Sequence, residues 1–142
     1  MTLRGLTHRR IFIDTSAFFA LASLRDPDHR NAQAIRRQLI RESALLFTTN
    51  FVLAETHALL LARVNRRVAL ETIVAIQSGR VIVIRATPDD ERDALGILRQ
   101  YDDKDFSFTD ALSFVIATRE AIDAAFTYDS DFAQYGLPVL QP

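Results

Sequence analysis

The sequence predicts an α/β domain of three layers, in which helices cover both faces of a mostly parallel central sheet of four to five strands. Short β-branched or aromatic runs alternate along the chain with longer stretches of helical periodicity, and such alternation implies crossover connections between parallel strands. The strand-like runs are apolar at consecutive positions, as expected for strands buried on both faces. With 142 residues and no repeat, linker or low-complexity segment, the chain is predicted to form one domain over 1–142.

The first strand and helix lie in the stretch RRIFIDTSAFFALAS. Its three apolar residues at 11–13 are too few for a helix and predict a short buried strand. Residues 17–24 are rich in helix formers, and Thr15 or Ser16 can cap the first turn. The turn LRDPDHRNA then leads to a second helix, whose apolar residues recur at helical spacing with arginines on the other side.

The middle of the chain predicts a second strand at 45–49, followed by a long helix over 51–65 that Asn50 can cap. This helix is apolar nearly all round, so we expect it to occupy a central position in the fold. Its near-continuous apolar segment, 51–64, suggests more buried surface than a small monomer provides, and this favours a homodimer. A pair of arginines at 66–67 marks a break before the next helix.

The remaining elements continue the alternation. Gly79 is a plausible end for the helix that follows the arginine pair. Pro88 opens another helix, whose first turn carries carboxylates where the helix dipole favours them. A further helix is predicted over 109–121. Three β-branched or small apolar runs predict the last strands, at 81–84, 124–128 and 139–140.

Composition narrows the class of protein. Hydrophobic residues make up 49% of the chain and charged residues 25%, an ordinary globular balance. No apolar run approaches the roughly 20 residues of a membrane span, and the N-terminus MTLRGLTHRR lacks the apolar segment of a signal peptide. The absence of cysteine excludes disulfides, thiolate catalysis and Cys-ligated zinc. We therefore expect a soluble, cytoplasmic protein with no membrane partner.

The charges are balanced in number but unusual in kind. The net charge is −1, and sixteen of the seventeen basic residues are arginine. Arginine suits phosphate recognition better than lysine, because its planar group bonds in a bidentate manner and is more weakly hydrated. A genome-wide composition bias would explain the same count equally well.

Three aspartates are predicted to meet at one edge of the sheet. Asp14 follows the first strand and Asp129 follows the fourth, while Asp110 lies in the first turn of a helix. In a parallel sheet the carboxyl ends of the strands and the starts of the following helices share an edge, and ligands bind there. Each aspartate alone also has a local explanation, as a helix-dipole partner, a turn residue or an N-cap.

Glu55 is expected to join the three aspartates if the first turns of the long helix face the same edge. It lies on a stripe that is otherwise apolar, formed by Val52, Leu59 and Ala62. A carboxylate on a buried apolar stripe is costly unless it is paired or bound to a metal. Arg63 is too far along the helix to form a local pair with it, so either an arginine distant in sequence or a metal is needed.

Four converging carboxylates require a counter-charge. The sequence has no cysteine and no histidine pair at ligand spacing, so a hard, oxygen-binding cation is indicated, Mg²⁺ or Mn²⁺. Carboxylate clusters that bind Mg²⁺ catalyse hydrolysis or group transfer at phosphorus, because the metal activates water and neutralises developing charge. No Walker loop, GxGxxG or GxSxG motif is present, so nucleotide-fuelled and acyl chemistry have no support.

At these residues the chain resembles the PIN-domain family, and specifically the VapC-type toxins of prokaryotic toxin–antitoxin pairs. The block FIDTSAFFAL is similar to the family's opening strand and first acid, Asp14. TTNFVLAETHALL is similar to the block of the family's glutamate, which corresponds to Glu55. DKDFSFTDALSFV and FTYDSDFAQYG are similar to the last two acidic blocks, which give Asp110 and Asp129. The resemblance covers nearly the whole chain.

The resemblance implies a PIN-like fold, Mg²⁺-dependent endoribonuclease activity on RNA, homodimerisation, and inhibition by a small VapB-type antitoxin that inserts a segment into the acidic groove. It implies catalytic and metal-binding roles for the four acids, with Ser16 and Asp131 as auxiliary residues. An RNA substrate also makes Arg63, Arg66 and Arg67 candidates for backbone contacts, although a solvated helix end explains these arginines at least as well.

Two other functions compete with a toxin ribonuclease. A catalytically silent PIN scaffold would bind RNA or a partner protein without cleaving, but such a scaffold has no reason to keep four acids in these positions. An aspartate-nucleophile phosphatase also begins with an acid at a strand end. It would typically carry a second acid two residues later, where this chain has Ser16.

Overall fold

The computed structural model describes residues 8–140 and contains four strands and seven helices in that range. The first half consists of β1 (Arg10–Ile13), α1 (Thr15–Ala22), α2 (His29–Arg41), β2 (Leu45–Thr49), α3 (Asn50–Arg63) and α4 (Arg66–Ser78). The second half consists of β3 (Ile82–Ile84), α5 (Pro88–Gln100), α6 (Phe108–Arg119), β4 (Ala124–Phe126) and α7 (Asp131–Tyr135). No helix in the described range is long and apolar enough to cross a membrane.

The sheet is fully parallel, with its strands in the order β3-β2-β1-β4. Phe12 of β1 pairs with Phe47 on one side and with Ala125 on the other, so β1 is an interior strand. Ile11, Phe12 and Ile13 are all at most 4% exposed. Consecutive buried residues require cover on both faces of the strand. The predicted three-layer α/β/α fold, with its mostly parallel sheet of four to five strands, is confirmed.

Different helices cover the two faces of the sheet. On one face Phe12 contacts Phe132 of α7, with ring centroids 5.8 Å apart, and Phe132 contacts Phe114 of α6 at 5.1 Å. On the other face Ile13 and Phe126 line a cavity together with residues of α1, α2 and α4. The carboxyl ends of β1 and β4 therefore lie between two packed helical layers, which hold the connecting loops on rigid elements.

The cap of α3 differs from the prediction. Thr49, not Asn50, occupies the N-cap position, and its hydroxyl accepts a hydrogen bond from the Val52 N–H at 3.1 Å. Asn50 instead accepts a bond from the Ala86 N–H at 2.9 Å. The β-region backbone of Thr49 suits the N-cap, which frees the Asn50 amide to tie the start of α3 to the segment after β3.

The start of α1 also differs from the prediction. Asp14 occupies the N-cap position with an extended backbone, and its side chain makes no capping hydrogen bond. Thr15 is the first helical residue, and Ser16 follows it inside the first turn. Neither hydroxyl can cap from within the helix, because a cap must precede the first turn. The Asp14 carboxylate is consequently free to point elsewhere.

The connection between α3 and α4 lies directly before the predicted arginine pair. Val64 and Asn65 separate the two helices, and the Asn65 side chain caps α4 by accepting from the Val68 N–H at 2.8 Å. The arginines at 66–67 lie in the first turn of α4. The prediction that Gly79 follows the last residue of this helix is correct.

The segment after β4 contains a helix that the sequence pattern did not predict. Helix α7 spans only five residues and ends at Gly136, whose φ of +108° favours glycine. Such a short helix shows little periodicity in sequence. The predicted last strand at 139–140 is reduced to a single parallel bridge between Val139 and Ala125, so the sheet has four named strands and not five.

Candidate active site

Three aspartates come together beyond the carboxyl ends of the strands. One carboxylate oxygen from each of Asp110, Asp129 and Asp131 lies within 4.8 Å of the others. Asp110 belongs to the first turn of α6 and is only 7% exposed, whereas Asp129 is exposed in the loop after β4. Asp131 begins α7. The prediction gave Asp131 an auxiliary place, but the structure puts it inside the acidic cluster.

The local sequence fixes the orientation of Asp110 through a reciprocal capping box. The Ser107 hydroxyl accepts a hydrogen bond from the Asp110 N–H, and Asp110 Oδ2 accepts one from the Ser107 N–H, both at 3.0 Å. The two bonds hold the carboxylate at the helix start and leave Oδ1 available to a ligand. The spacing S-x-x-D is the sequence signal that would have identified Ser107.

Asp14 is joined to the cluster through Thr127, a residue that the sequence did not single out. The Thr127 hydroxyl donates to Asp14 Oδ2 at 2.9 Å and accepts from the Asp129 N–H at 3.0 Å. Ser16 Oγ lies 3.1 Å from Thr127 Oγ1 and accepts from the Tyr128 N–H at 2.9 Å. Because the single proton of Thr127 points to Asp14, Ser16 must donate to Thr127. Thr127 therefore orients two of the predicted acids at once.

The sequence contained only a weak indication that Thr127 belongs to the site. It follows the buried residues Ala125 and Phe126 directly and is itself only 6% exposed. A buried hydroxyl at a strand end, two residues before an acid, must find hydrogen-bond partners. Its partners include residues of α1, which is distant in sequence, so the sequence offered no way to name them.

The prediction that Glu55 is buried was wrong. The buried residues of α3 are Val52, Leu53, Thr56 and Leu60, and Glu55 is exposed. With about 100° between successive residues, Glu55 lies roughly 110° around the helix from the centre of that buried face. It therefore points to the open side of the site. Because Glu55 is exposed, burial gives no reason for it to bind a metal.

Burial raises the pKa of the Asp14 carboxyl to about 7. Hydrogen bonds from the Thr15 backbone and the Thr127 hydroxyl lower the pKa, but the negative charges of Asp110 and Glu55 raise it further. Desolvation dominates because Asp14 is only 3% exposed. The charge of Glu55 is the smallest of these contributions, and its side chain is exposed.

The pKa of Asp131 is also raised to about 7, first by burial and then by its hydrogen bond to Asp110 and the charges of Asp110 and Asp129. Like-charged carboxylates at short distance cannot all ionise without a compensating cation. Their donor atoms are hard oxygens, which is the ligand type that divalent Mg²⁺ and Mn²⁺ prefer. The residues present thus fit a divalent metal ion.

Comparison with known proteins identifies the family. Residues 11–137 match the model of the PIN domain. The chain belongs to the PIN domain family. It is 33% identical over 132 residues to the Mycobacterium tuberculosis protein named 23S rRNA-specific endonuclease VapC20, a match that covers 93% of this chain and 98% of that protein. It is 35% identical over 124 residues to the VapC ribonuclease of Archaeoglobus fulgidus, covering 85% and 78% respectively.

Solved structures support the same PIN fold. The crystal structure of M. tuberculosis VapC20, described as a Sarcin-Ricin loop cleaving toxin, superposes with a TM-score of 0.85 at 32% identity, over 93% of this chain and 99% of that one. FitAcB from Neisseria gonorrhoeae (TM-score 0.63, 16% identity) and VapBC2 from Rickettsia felis bound to promoter DNA (0.67, 14%) each align over 93% of this chain and 97% of theirs. At such identities these last two show the fold alone.

In this PIN domain the predicted arginine group lies apart from the carboxylates. Arg63 ends α3, and Arg66 and Arg67 begin α4, all three exposed. Arg63 is eight residues beyond Glu55, or about 12 Å along the helix axis. Arg67 also pairs with Glu71 at 3.7 Å. The structure therefore groups Asp110 and Asp129 with Asp131, whereas Arg63 lies about 12 Å along α3 from Glu55.

Proposed function

We propose that this PIN domain is a Mg²⁺-dependent endoribonuclease that cleaves RNA phosphodiester bonds and serves as the toxin of a VapBC-type toxin–antitoxin pair. The observation that carries the proposal is the cluster of Asp110, Asp129 and Asp131 within 4.8 Å, with Asp14 bound to the same network through Thr127. The names of the relatives, an endonuclease and a ribonuclease, support the reaction class.

We assign the catalytic and metal-binding roles to Asp14, Glu55, Asp110 and Asp129, with Asp131 as a further ligand. A divalent cation held there supplies positive charge at the phosphate and makes a water molecule a better nucleophile. Within the chain, the hydroxyl network of Thr127 orients Asp14, and the capping box orients Asp110. Mn²⁺ is expected to replace Mg²⁺ because both prefer carboxylate oxygens.

The function is tested by incubating the purified protein with RNA in Mg²⁺, in Mn²⁺ and in chelator. Ribosomal RNA is the first substrate to try, since the M. tuberculosis relative is named for it. Cleavage that requires the metal supports the proposal. RNA binding without cleavage in every metal would favour the alternative, a catalytically silent PIN scaffold.

Thr127→Val is expected to lower cleavage by about 10-fold to 100-fold and to destabilise the protein by about 1–3 kcal/mol. Valine keeps the shape but leaves the Asp129 N–H and the Ser16 hydroxyl without their acceptor. It also removes a bond that lowers the pKa of Asp14, so the pH–rate profile should move to higher pH. Thr127→Ser keeps the hydroxyl and should restore the profile. An unchanged profile in the valine variant would exclude the positioning role.

The arginine group is proposed to contact the RNA backbone. Replacing Arg63, Arg66 and Arg67 by alanine should weaken RNA binding regardless of sequence. It should also flatten the plot of log affinity against log salt by about one unit for each arginine–phosphate pair that the substitutions remove. Because Arg67 already pairs with Glu71, we expect the smallest effect at that position. If the triple variant keeps the wild-type salt slope, these arginines do not contact the RNA backbone.

A homodimer is proposed on the strength of exposed apolar residues in the α3–α4 region. Leu61, Leu70 and Val74 are 49%, 48% and 55% exposed, which is unusual for three large apolar side chains on neighbouring helices. We predict a dimer burying at least about 1,000 Å² in total. Light scattering at tens of micromolar should give twice the chain mass. The monomer mass at that concentration would contradict the prediction.

An antitoxin partner is supported by the likeness, at 32% identity, to a protein described as a toxin. We propose that a small VapB-type antitoxin places a basic segment in the open acidic site, where Glu55 and Asp129 are exposed, and that its apolar residues occupy the cavity of about 560 Å³ beside α1, α2 and α4. A short neighbouring gene encoding a DNA-binding N-terminus and a mixed apolar and basic C-terminus would support this role.

A further inference from the structure

An aromatic pair joins the starts of α3 and α6, the helices that carry Glu55 and Asp110. The rings of Phe51 and Phe108 meet edge to face, with centroids 5.4 Å apart and an interplanar angle of 77°. Phe108 is 36% exposed, and no other phenylalanine in the described residues is as exposed. Phe108 therefore keeps part of its ring open to solvent although it packs on Phe51.

The pair is attached to the two elements that carry acids. Phe51 precedes Glu55 by one helical turn on α3, and residues four apart lie about 5–6 Å from each other. Phe108 is the first residue of α6, between Ser107 and Asp110 of the capping box. The pair therefore lies about one helical turn from Glu55, to which we assign a role in the site.

One ring of the pair is anchored and the other is open. Phe51 packs against the small buried cluster of Ala94, Ala111 and Leu112 between α3, α5 and α6. Phe108 packs on Phe51 and remains 36% exposed. Phenylalanine is not among the strong helix formers, and the open part of the ring is available to a ligand that stacks on it.

We propose that Phe108, supported by Phe51, is a stacking platform for an unpaired nucleobase next to the cleaved phosphate. The inference rests on the proposed ribonuclease function. Single-stranded RNA presents unstacked bases, and proteins read them by stacking on aromatic side chains. Such a stack is worth about 5-fold to 150-fold in affinity per base. It tolerates different bases, because each base has a π-face.

The test measures RNA affinity in the Asp110→Asn background, so that the RNA remains intact. Three RNAs are compared: the full oligonucleotide, and two that carry an abasic nucleotide on one or the other side of the mapped cleavage site. Phe108→Ala should weaken binding of the full RNA by about 5-fold to 150-fold. For one abasic position, proteins with and without the ring should bind equally well.

Matched variants separate stacking from bulk and from assembly. Phe108→Leu keeps apolar bulk without the π-face and should lose most of the base-dependent affinity. Leu95→Ala removes another exposed apolar side chain, 42% exposed on α5, and should change neither affinity nor its dependence on the base. Melting curves confirm that each variant is folded.

Three results would overturn the platform. If the fold-losses in RNA affinity caused by Phe108→Ala and by the abasic nucleotide simply multiply, the ring and the base do not touch. A change in Phe108→Ala from dimer to monomer by light scattering, without base-dependent coupling, would assign the ring to a subunit interface. Failure of the wild-type protein to bind and cleave RNA would overturn the ribonuclease proposal together with the platform, whereas loss of coupling alone leaves that proposal intact.

Discussion

Asp110→Asn is expected to abolish RNA cleavage while leaving the metal-free protein at least as stable as wild type. The substitution removes one negative charge from a site in which Asp14 and Asp131 already have raised pKa values, in part because of that charge. Asparagine can still accept the Ser107 N–H bond through its amide oxygen, so the capping box is kept. We expect cleavage to fall on the order of 10³-fold or more, corresponding to about 4 kcal/mol of charge stabilisation.

The same variant should lose most of its response to Mg²⁺. A metal that binds only the folded protein stabilises it by roughly 1.4 kcal/mol at ten times its dissociation constant. Loss of a ligand raises that constant, so the rise in melting temperature on adding Mg²⁺ should largely disappear. The measurement is a melting series of both proteins in chelator and in Mg²⁺, beside a cleavage assay.

Asp90 provides a matched control in the same chain. It occupies the same position of a second capping box, with Thr87 at the start of α5, and is 3% exposed. It also pairs with Arg119. Asp90→Asn should lower stability by about 1–3 kcal/mol without affecting cleavage. The metal-site proposal is falsified if Asp110→Asn instead behaves like Asp90→Asn in chelator and retains wild-type cleavage and metal response.

In chelator, the stability of the wild-type protein should fall as the pH rises from about 4 to about 7. The folded pKa of Asp14 is about 7, against 3.8 for the ordinary group. Between these values the folded state binds more protons than the unfolded state, and the free energy of unfolding therefore decreases as the pH rises. One group contributes a slope of up to about 1.4 kcal/mol per pH unit. Above pH 7 this contribution levels off.

Asp14→Asn should remove that contribution and be more stable than wild type at pH 8 in chelator, by a few kcal/mol in order of magnitude. Asparagine is neutral when buried, and its amide oxygen can still accept the Thr127 hydroxyl bond. The remaining slope of the variant then reports Asp131, whose pKa is raised to about 7 as well. Saturating Mg²⁺ should flatten the wild-type slope, because it favours the ionised carboxylates.

The control for the pH series is Asp123→Asn. Asp123 precedes β4 at the opposite edge of the sheet, where its carboxylate accepts the Arg10 N–H at 2.8 Å. It is exposed, so its neutralisation should leave the wild-type slope between pH 4 and pH 7 intact. Chemical denaturation at each pH measures the slopes. Equal slopes for wild type and Asp14→Asn would show that the burial of Asp14 has no such effect on its ionisation.

The order of the elements could be predicted because it depends on patterns within short segments. The run at 11–13 is apolar at every position, and this alone indicates a strand covered on both faces. Parallel strands place their carboxyl ends at one edge, so the approach of Asp14, Asp110 and Asp129 followed from their positions in sequence. Helix α7 did not follow, because five residues carry too little periodicity to identify a helix.

Sequence patterns were enough to predict the fold class, the succession of strands and helices, and the approach of Asp110 and Asp129 to one another. Which other side chains join those acids depends on the tertiary structure. Thr127 and Ser16 are 111 residues apart in sequence, and no local pattern couples residues at that separation. The exposure of Glu55 likewise depends on which face of α3 packs against its neighbours, and an apolar helix leaves that rotation open. Local propensity selects the elements, whereas long-range packing sets their rotation and their hydrogen-bond partners.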